Sequence, residues 1–297
     1  MRTSFHKQIS RNKLKSTILL VGIFSVLILM GYIIGSIAGP DYFTIIMIIA
    51  IIISILYIWT GYYNSHKIAI ASVRAKVANQ SEHLEYHHLV EGLCLASGLP
   101  KPKLYVMEDS NINAFASGRD PKNAVICITT GCLEKLDKQE LEGILAHELS
   151  HIANYDIRFM TFTAVLVGII AIVSEIFLRS LFWGGVGGRD RKLHPFLIIF
   201  GIALAIIAPI VVSMVQLTIS RKREFTADAS AVKFIRSPTG LKNALEKIKH
   251  EHPTKVDRHI SKAVAPLFIS DPFKRKVQNL FSTHPPLEKR IAILERM

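Results

Sequence analysis

The chain has 297 residues, half of them hydrophobic, and a mean hydropathy of +0.33, which argues against a purely soluble protein. Lys and Arg number 36 against 23 Asp and Glu, but no stacking-aromatic or recognition-helix pattern accompanies the surplus. Nucleic acid is therefore set aside as a partner, and attraction to an anionic lipid surface is the expected use of the charge.

In chain order, the opening MRTSFHKQISRNKLK carries Arg2, Lys7, Arg11, Lys13 and Lys15 and no acid. Thr17 to Pro40 and Tyr42 to Ser65 follow, each free of Asp, Glu, Lys and Arg over more than the roughly 20 residues a helix needs to cross the hydrocarbon core. Both are expected to span, with a short loop between them whose one charge is Asp41. The positive-inside rule then places the N-terminus in the cytoplasm. Ser36, Ile37 and Ala38 resemble the small-x-small end of a secretory signal, but the apolar run before them exceeds the roughly 7 to 15 residues of a signal core, so a retained anchor is expected.

From Lys67 to Ile157 the sequence is soluble in character. A helical region near Val73 to Ser97 closes at Gly98-Leu99-Pro100. Strands are expected at Lys103 to Met107, Asn113 to Ser117 and Ala124 to Thr130, separated by turn-rich pieces such as GRDPKN. A helix begins near Lys138, with Leu141, Leu145, Leu149 and Ile152 on one face. Cys94, Cys127 and Cys132 form no CxxC pair and are expected as small buried residues on the reducing side. Two further apolar segments, Met160 to Leu178 and Pro195 to Ser220, form a hairpin. Glu175 in the first, and the basic loop between them, RSLFWGGVGGRDRKLHP, leave full insertion open, because that loop carries more Lys and Arg than an outside loop should. The remainder, from Glu224, is soluble again, with amphipathic helices near Leu241 to Lys249 and Leu287 to Met297.

The stretch LEGILAHELSHIANYD holds His147 and His151 four residues apart, so on a helix both imidazoles face one ion. Glu148 between them then lies where a carboxylate can take a proton from a zinc-activated water. By itself this spacing leaves a zinc site and a solvated polar face both open. A catalytic zinc usually takes a third protein ligand, and SRKREFTADAS offers Glu224 and Asp228, again four apart. Glu224 can ligate while Asp228 accepts the second ring N–H of a ligand histidine; a charged helix flank is the alternative. His83, His87 and His88 have ligand-like spacing without an acidic partner motif and read as a solvated face. Nothing in the sequence fixes the positions of Tyr155 or Arg290.

AHELSHIANYD, SRKREFTAD and the late THPPLEKRI, in that order and with NAFASG upstream, resemble the HtpX-type membrane zinc metalloproteases, gluzincins related to the CAAX prenyl proteases. The resemblance covers essentially the whole chain. It implies a mainly helical α+β fold, an integral membrane protein with about four transmembrane helices, and a gluzincin-like catalytic domain with a small β-sheet. It also implies one Zn2+ held by His147, His151 and Glu224, Glu148 as general base and Asp228 as a supporting carboxylate. Asn113, Ala114, Phe115, Ala116 and Ser117 would form an edge strand that pairs with an extended, unfolded substrate, and His284 would gate the metal or stabilise the transition state. The implied role is cleavage of unfolded or damaged membrane proteins at the cytoplasmic face of a bacterial inner membrane.

The division expected is an N-terminal arm with two spans (1–66), a first catalytic part with HELSH (67–157), the hydrophobic hairpin (158–220) and a second catalytic part (221–297). Distances along the chain put the metal within one or two helical turns of the membrane surface. The competing readings are a processing protease for one membrane or lipidated partner, a membrane scaffold with structural zinc, and a transporter using Glu175 and Pro209. The last leaves HELSH and REFTAD unexplained.

Overall fold

The computed structural model describes residues 5–163, 221–251, 267–270 and 285–297. The basic loop, the Pro195 to Ser220 segment, most of Met160 to Leu178 and His284 lie outside the described residues. The first two elements are long helices, α1 (Phe5–Ala38) and α2 (Pro40–Ser72). They form an antiparallel pair, since Gly39 alone separates them and its φ of 99° lies where a side chain would be strained. Asp41 therefore sits in the first turn of α2 rather than in a loop, next to the helix N-terminus, where a negative charge is favourable. Both helices are long and apolar enough to cross a membrane, and the most apolar window of α2 is only 6% buried. The core helix of a soluble domain would be mostly buried. Here Ile45, Ile48, Ile52, Ile55 and Leu56 are exposed, as lipid-facing side chains are.

Beyond α2 the structure departs from the continuous helical region expected from Val73. Arg74 adopts a left-handed φ of 53° and ends the helix. A short strand β1 (Lys76–Val77) follows, and Asn79 caps a turn by accepting from the Ser81 N–H. Helix α3 (Leu84–Ser97) then ends at Gly98 in the left-handed conformation, the usual helix stop. Strands β2 (Lys103–Met107), β3 (Ala114–Gly118) and β4 (Ala124–Thr129) complete a four-stranded sheet of order β1-β2-β4-β3. β2 runs parallel to β4, and the other two pairings are antiparallel. β3 is therefore an edge strand, at the opposite side of the sheet from β1.

Both faces of this sheet are covered. Ala124, Ile126 and Ile128 pack with α3 and with the helix that carries HELSH, whereas Val125 and Cys127, on the opposite face by the two-residue period of a strand, pack with Ala69, Ile70 and Val73 at the end of α2. The sheet is thus seated on the end of the second long helix, which fixes the soluble part relative to the membrane anchor. Cys94, Cys127 and Cys132 are free and buried.

After a short helix α4 (Thr130–Lys135), helix α5 (Lys138–Ala153) begins with a full capping box: the Asp137 side chain accepts from Glu140 N–H and the Glu140 side chain accepts from Asp137 N–H. Helices α6 (Arg221–Ile235) and α7 (Thr239–His250) pack against it, and α8 (Leu287–Leu294) packs on α7 and α6. Gly143 and Gly240 let the backbones of α5 and α7 touch, since a Cβ at either would collide with the other helix's main chain. α5 is consequently enclosed from Gly143 to Ala153, and its HELSH residues face the interior rather than water.

Candidate metal centre

Helix α5 presents His147 and His151 from successive turns, and α6 brings Glu224 opposite them. One nitrogen of each imidazole and one Glu224 oxygen lie within 4.8 Å of one another, and all three side chains are buried. The two Nε2 atoms are 3.2 Å apart. Glu224 Oε2 is 3.5 Å from His147 Nε2, and Oε1 is 3.7 Å from His151 Nε2.

Each histidine is held by its own carboxylate through the other ring nitrogen. Asp228 Oδ1 lies 2.9 Å from His147 Nδ1. Asp156 Oδ2 lies 3.2 Å from His151 Nδ1. Each carboxylate is in turn held by a buried arginine: Arg290 donates to Asp228 from Nε at 2.9 Å and from its terminal nitrogen at 2.6 Å, and Arg223 Nε is 3.0 Å from Asp156 Oδ1. Such pairs favour a proton on Nδ1, so that each Nε2, which faces the Glu224 carboxylate, would be the nitrogen offered to an ion once it is deprotonated. Two neutral nitrogens and one carboxylate, buried together and without cysteine, are the donor set of a catalytic rather than a structural zinc, so the residues present fit the ion.

Burial and the Arg290 guanidinium both push His147 down, but hydrogen bonds to Asp228 and Glu224 outweigh them and raise it to about 9. Burial pushes Asp228 up, yet Arg290 and His147 bring it down to about 2. Burial holds the Glu148 carboxyl above its usual range, partly offset by His147 and His151, and the Ala116 backbone N–H donates to it. A metal must displace the His147 proton. Zinc affinity is therefore expected to rise about tenfold per pH unit from the ordinary histidine value of 6.5 up to about 9. Competition with a chelator of known affinity, repeated across that range, measures it, and an affinity flat with pH would contradict the assignment.

The strand expected to bind substrate lies beside this centre, shifted by one residue from Asn113 to Ser117 to β3. Asn113, Ala114, Phe115, Ala116 and Ser117 are all buried, and three outward backbone groups of β3 are already engaged. Ala114 C=O accepts from Ile269 N–H at 2.9 Å, Ala116 N–H is on Glu148, and Gly118 N–H donates to Thr161 Oγ1 at 3.2 Å. The Asn113 side chain donates to Ser270 C=O at 3.0 Å and accepts from Ser270 N–H at 3.3 Å. The histidines of EHLEYHHLV stay away from the centre. His87 Nε2, for example, is 3.0 Å from the Ala78 carbonyl.

Asp156 and Arg223 are the site residues that sequence reasoning missed, and Arg290 is one it could not place. Asp156 ends the HELSHIANYD stretch itself. No local signal marks its role: Tyr155, not a glycine, adopts a left-handed φ of 57° just past the end of α5, the position glycine usually takes, and thereby turns the chain back towards His151.

A family profile described as Peptidase family M48 matches residues 80–297. The chain is 47% identical to a protease HtpX homolog of Caldanaerobacter subterraneus subsp. tengcongensis over 257 residues, covering 85% of this chain and 84% of that one. It is 37% identical to a protease HtpX homolog of Streptococcus gordonii over 302 residues, covering 98% and 99%. Among solved structures it is similar to Ste24p of S. mikatae, with 21% identity and a TM-score of 0.47 over 97% of this chain and 67% of that one.

Proposed function

Because this chain belongs to peptidase family M48 and is a membrane metalloprotease, we propose that it is a zinc-dependent endopeptidase whose metal is held by His147, His151 and Glu224. The convergence of those three buried side chains on one point carries the reading. Zinc bound there would lower the pKa of a bound water towards about 7 and polarise the scissile carbonyl. Glu148, on the same helix and with its carboxyl held above the usual range, takes the proton of the attacking water and passes it to the leaving amine. Asp228 and Asp156 keep the imidazoles in the tautomer that leaves Nε2 free. An extended substrate pairs with β3 through the Ala114 carbonyl and the Ala116 N–H, in place of Ile269 and Glu148, so recognition is of backbone and favours unfolded chains.

The basic N-terminal segment and the sheet seated on the end of α2 support a catalytic domain at the cytoplasmic face of a bacterial inner membrane, against anionic lipid. Loops newly exposed in damaged membrane proteins suit that position. A structural zinc is disfavoured because the metal-capable cluster among the described residues contains no cysteine. The test is cleavage of casein by the detergent-purified protein. Activity is expected with zinc, should vanish on chelation and should return on adding zinc back. Cleavage that survives chelation would sink the proposal.

A further inference from the structure

The two carboxylate-histidine pairs differ in one respect. Asp228 is held within the catalytic domain by α8, whereas Asp156 has a third partner from the membrane anchor. Asn12, in the first turns of α1, donates from Nδ2 to Asp156 Oδ1 at 2.7 Å and to the Asn154 carbonyl at 3.0 Å. Asn12 is buried, and so is Ser16 one turn further on, while Arg11, Lys13 and Leu14 between and beside them are exposed. The same face continues through Leu19, Leu20 and Ile23, which pack with Phe162. A second contact fastens the junction: Lys13 lies over the Tyr155 ring, 4.4 Å from its centre. The start of α1 is thus docked on the two-residue turn, Asn154 and Tyr155, and on Asp156 that follows it beneath His151.

A neutral amide is the residue this place requires. Asp156 already faces Arg223 and His151, and Lys15 stands close enough to interact with both Arg223 and Asp156. A further cation at position 12 would add repulsion in a closed space, and an apolar side chain would leave a buried carboxylate short of a donor. We propose that Asn12 is a positioning residue for the metal site: through Asp156 it holds the His151 ring, so that the membrane-anchoring helix completes the coordination geometry of the catalytic domain. This rests on His151 being a metal ligand, as proposed above.

The test uses the full-length protein in detergent and reads zinc affinity by chelator competition, together with the visible absorption spectrum of the cobalt-substituted protein. Asn12→Leu keeps volume and removes the donor, Asn12→Ala removes both, and Leu14→Ala is an exposed control on the same helix. His151→Ala tests the underlying assignment. Expected is a loss of about tenfold in zinc affinity for both Asn12 variants, at the low end of the range for supporting groups, with an altered cobalt spectrum and no change in Leu14→Ala. Wild-type affinity and spectrum in whichever Asn12 variant is recovered folded would overturn the proposal, as would an equal loss in Leu14→Ala, which would mean general damage to α1. Wild-type zinc binding by His151→Ala would instead overturn the ligand assignment beneath it.

Discussion

Glu148→Gln is expected to slow casein cleavage by about 10²–10⁴-fold, the range associated with a positioned general base, while zinc content stays at that of the wild type. The substitution keeps shape and volume in a helix that is enclosed on all sides at this point, so the fold has no reason to change. Glu148 is not among the three side chains that converge on the candidate metal position. Its carboxyl accepts from the Ala116 N–H of the edge strand, so the proposed proton acceptor touches the strand that would carry the peptide. Side-by-side turnover and metal analysis of the two purified proteins check this. Equal cleavage would assign the activity to another group or to a contaminant.

Glu224→Ala is expected to have the opposite signature, with cleavage lost because the metal is lost. Its carboxylate is the one oxygen donor in the cluster and reaches both Nε2 atoms. Removing it should weaken zinc binding by more than the about 10–100-fold expected for a supporting group, which is the range anticipated for Asp228→Asn. It also strands positive charge: Arg290, wholly buried, lies 3.6 Å from Glu224 Oε2 as well as on Asp228, and a buried guanidinium that loses one of two counter-charges is destabilising. Chelator competition on Glu224→Ala, Asp228→Asn and the wild type should give three separated affinities, weakest first in that order. Equal zinc affinity in Glu224→Ala and the wild type would remove Glu224 from the site.

What could be read from the sequence was whatever a single periodic segment encodes. The HELSH histidines and the Glu224 and Asp228 pair are each four residues apart on one helix, so their common facing follows from helix geometry alone. The two long apolar helices announced themselves by length and apolarity, and β4 by a run of small and β-branched residues buried on both faces. What stayed hidden depends on where chains turn and meet. Arg74 and Tyr155, both in the left-handed region without being glycine, end helices at places no turn residue marks. The first breaks the helix expected from Val73, and the second swings Asp156 under His151. Asn12 reaches Asp156 across 144 positions and Arg290 reaches Asp228 across 62. Ile269 and Ser270 meet the edge strand from a segment with no local pattern. In each case a tertiary contact decides the role, and a lone polar residue on a helix carries no trace of its partner.

Zinc K-edge X-ray absorption on the purified, zinc-loaded protein tests the central claim most directly, because it reads the atoms around the metal. The account predicts a first shell of nitrogen and oxygen alone at roughly 2.0–2.1 Å, with the outer-shell scattering of imidazole rings. A sulfur neighbour at about 2.3 Å would put a cysteine on the metal and contradict the site of His147, His151 and Glu224.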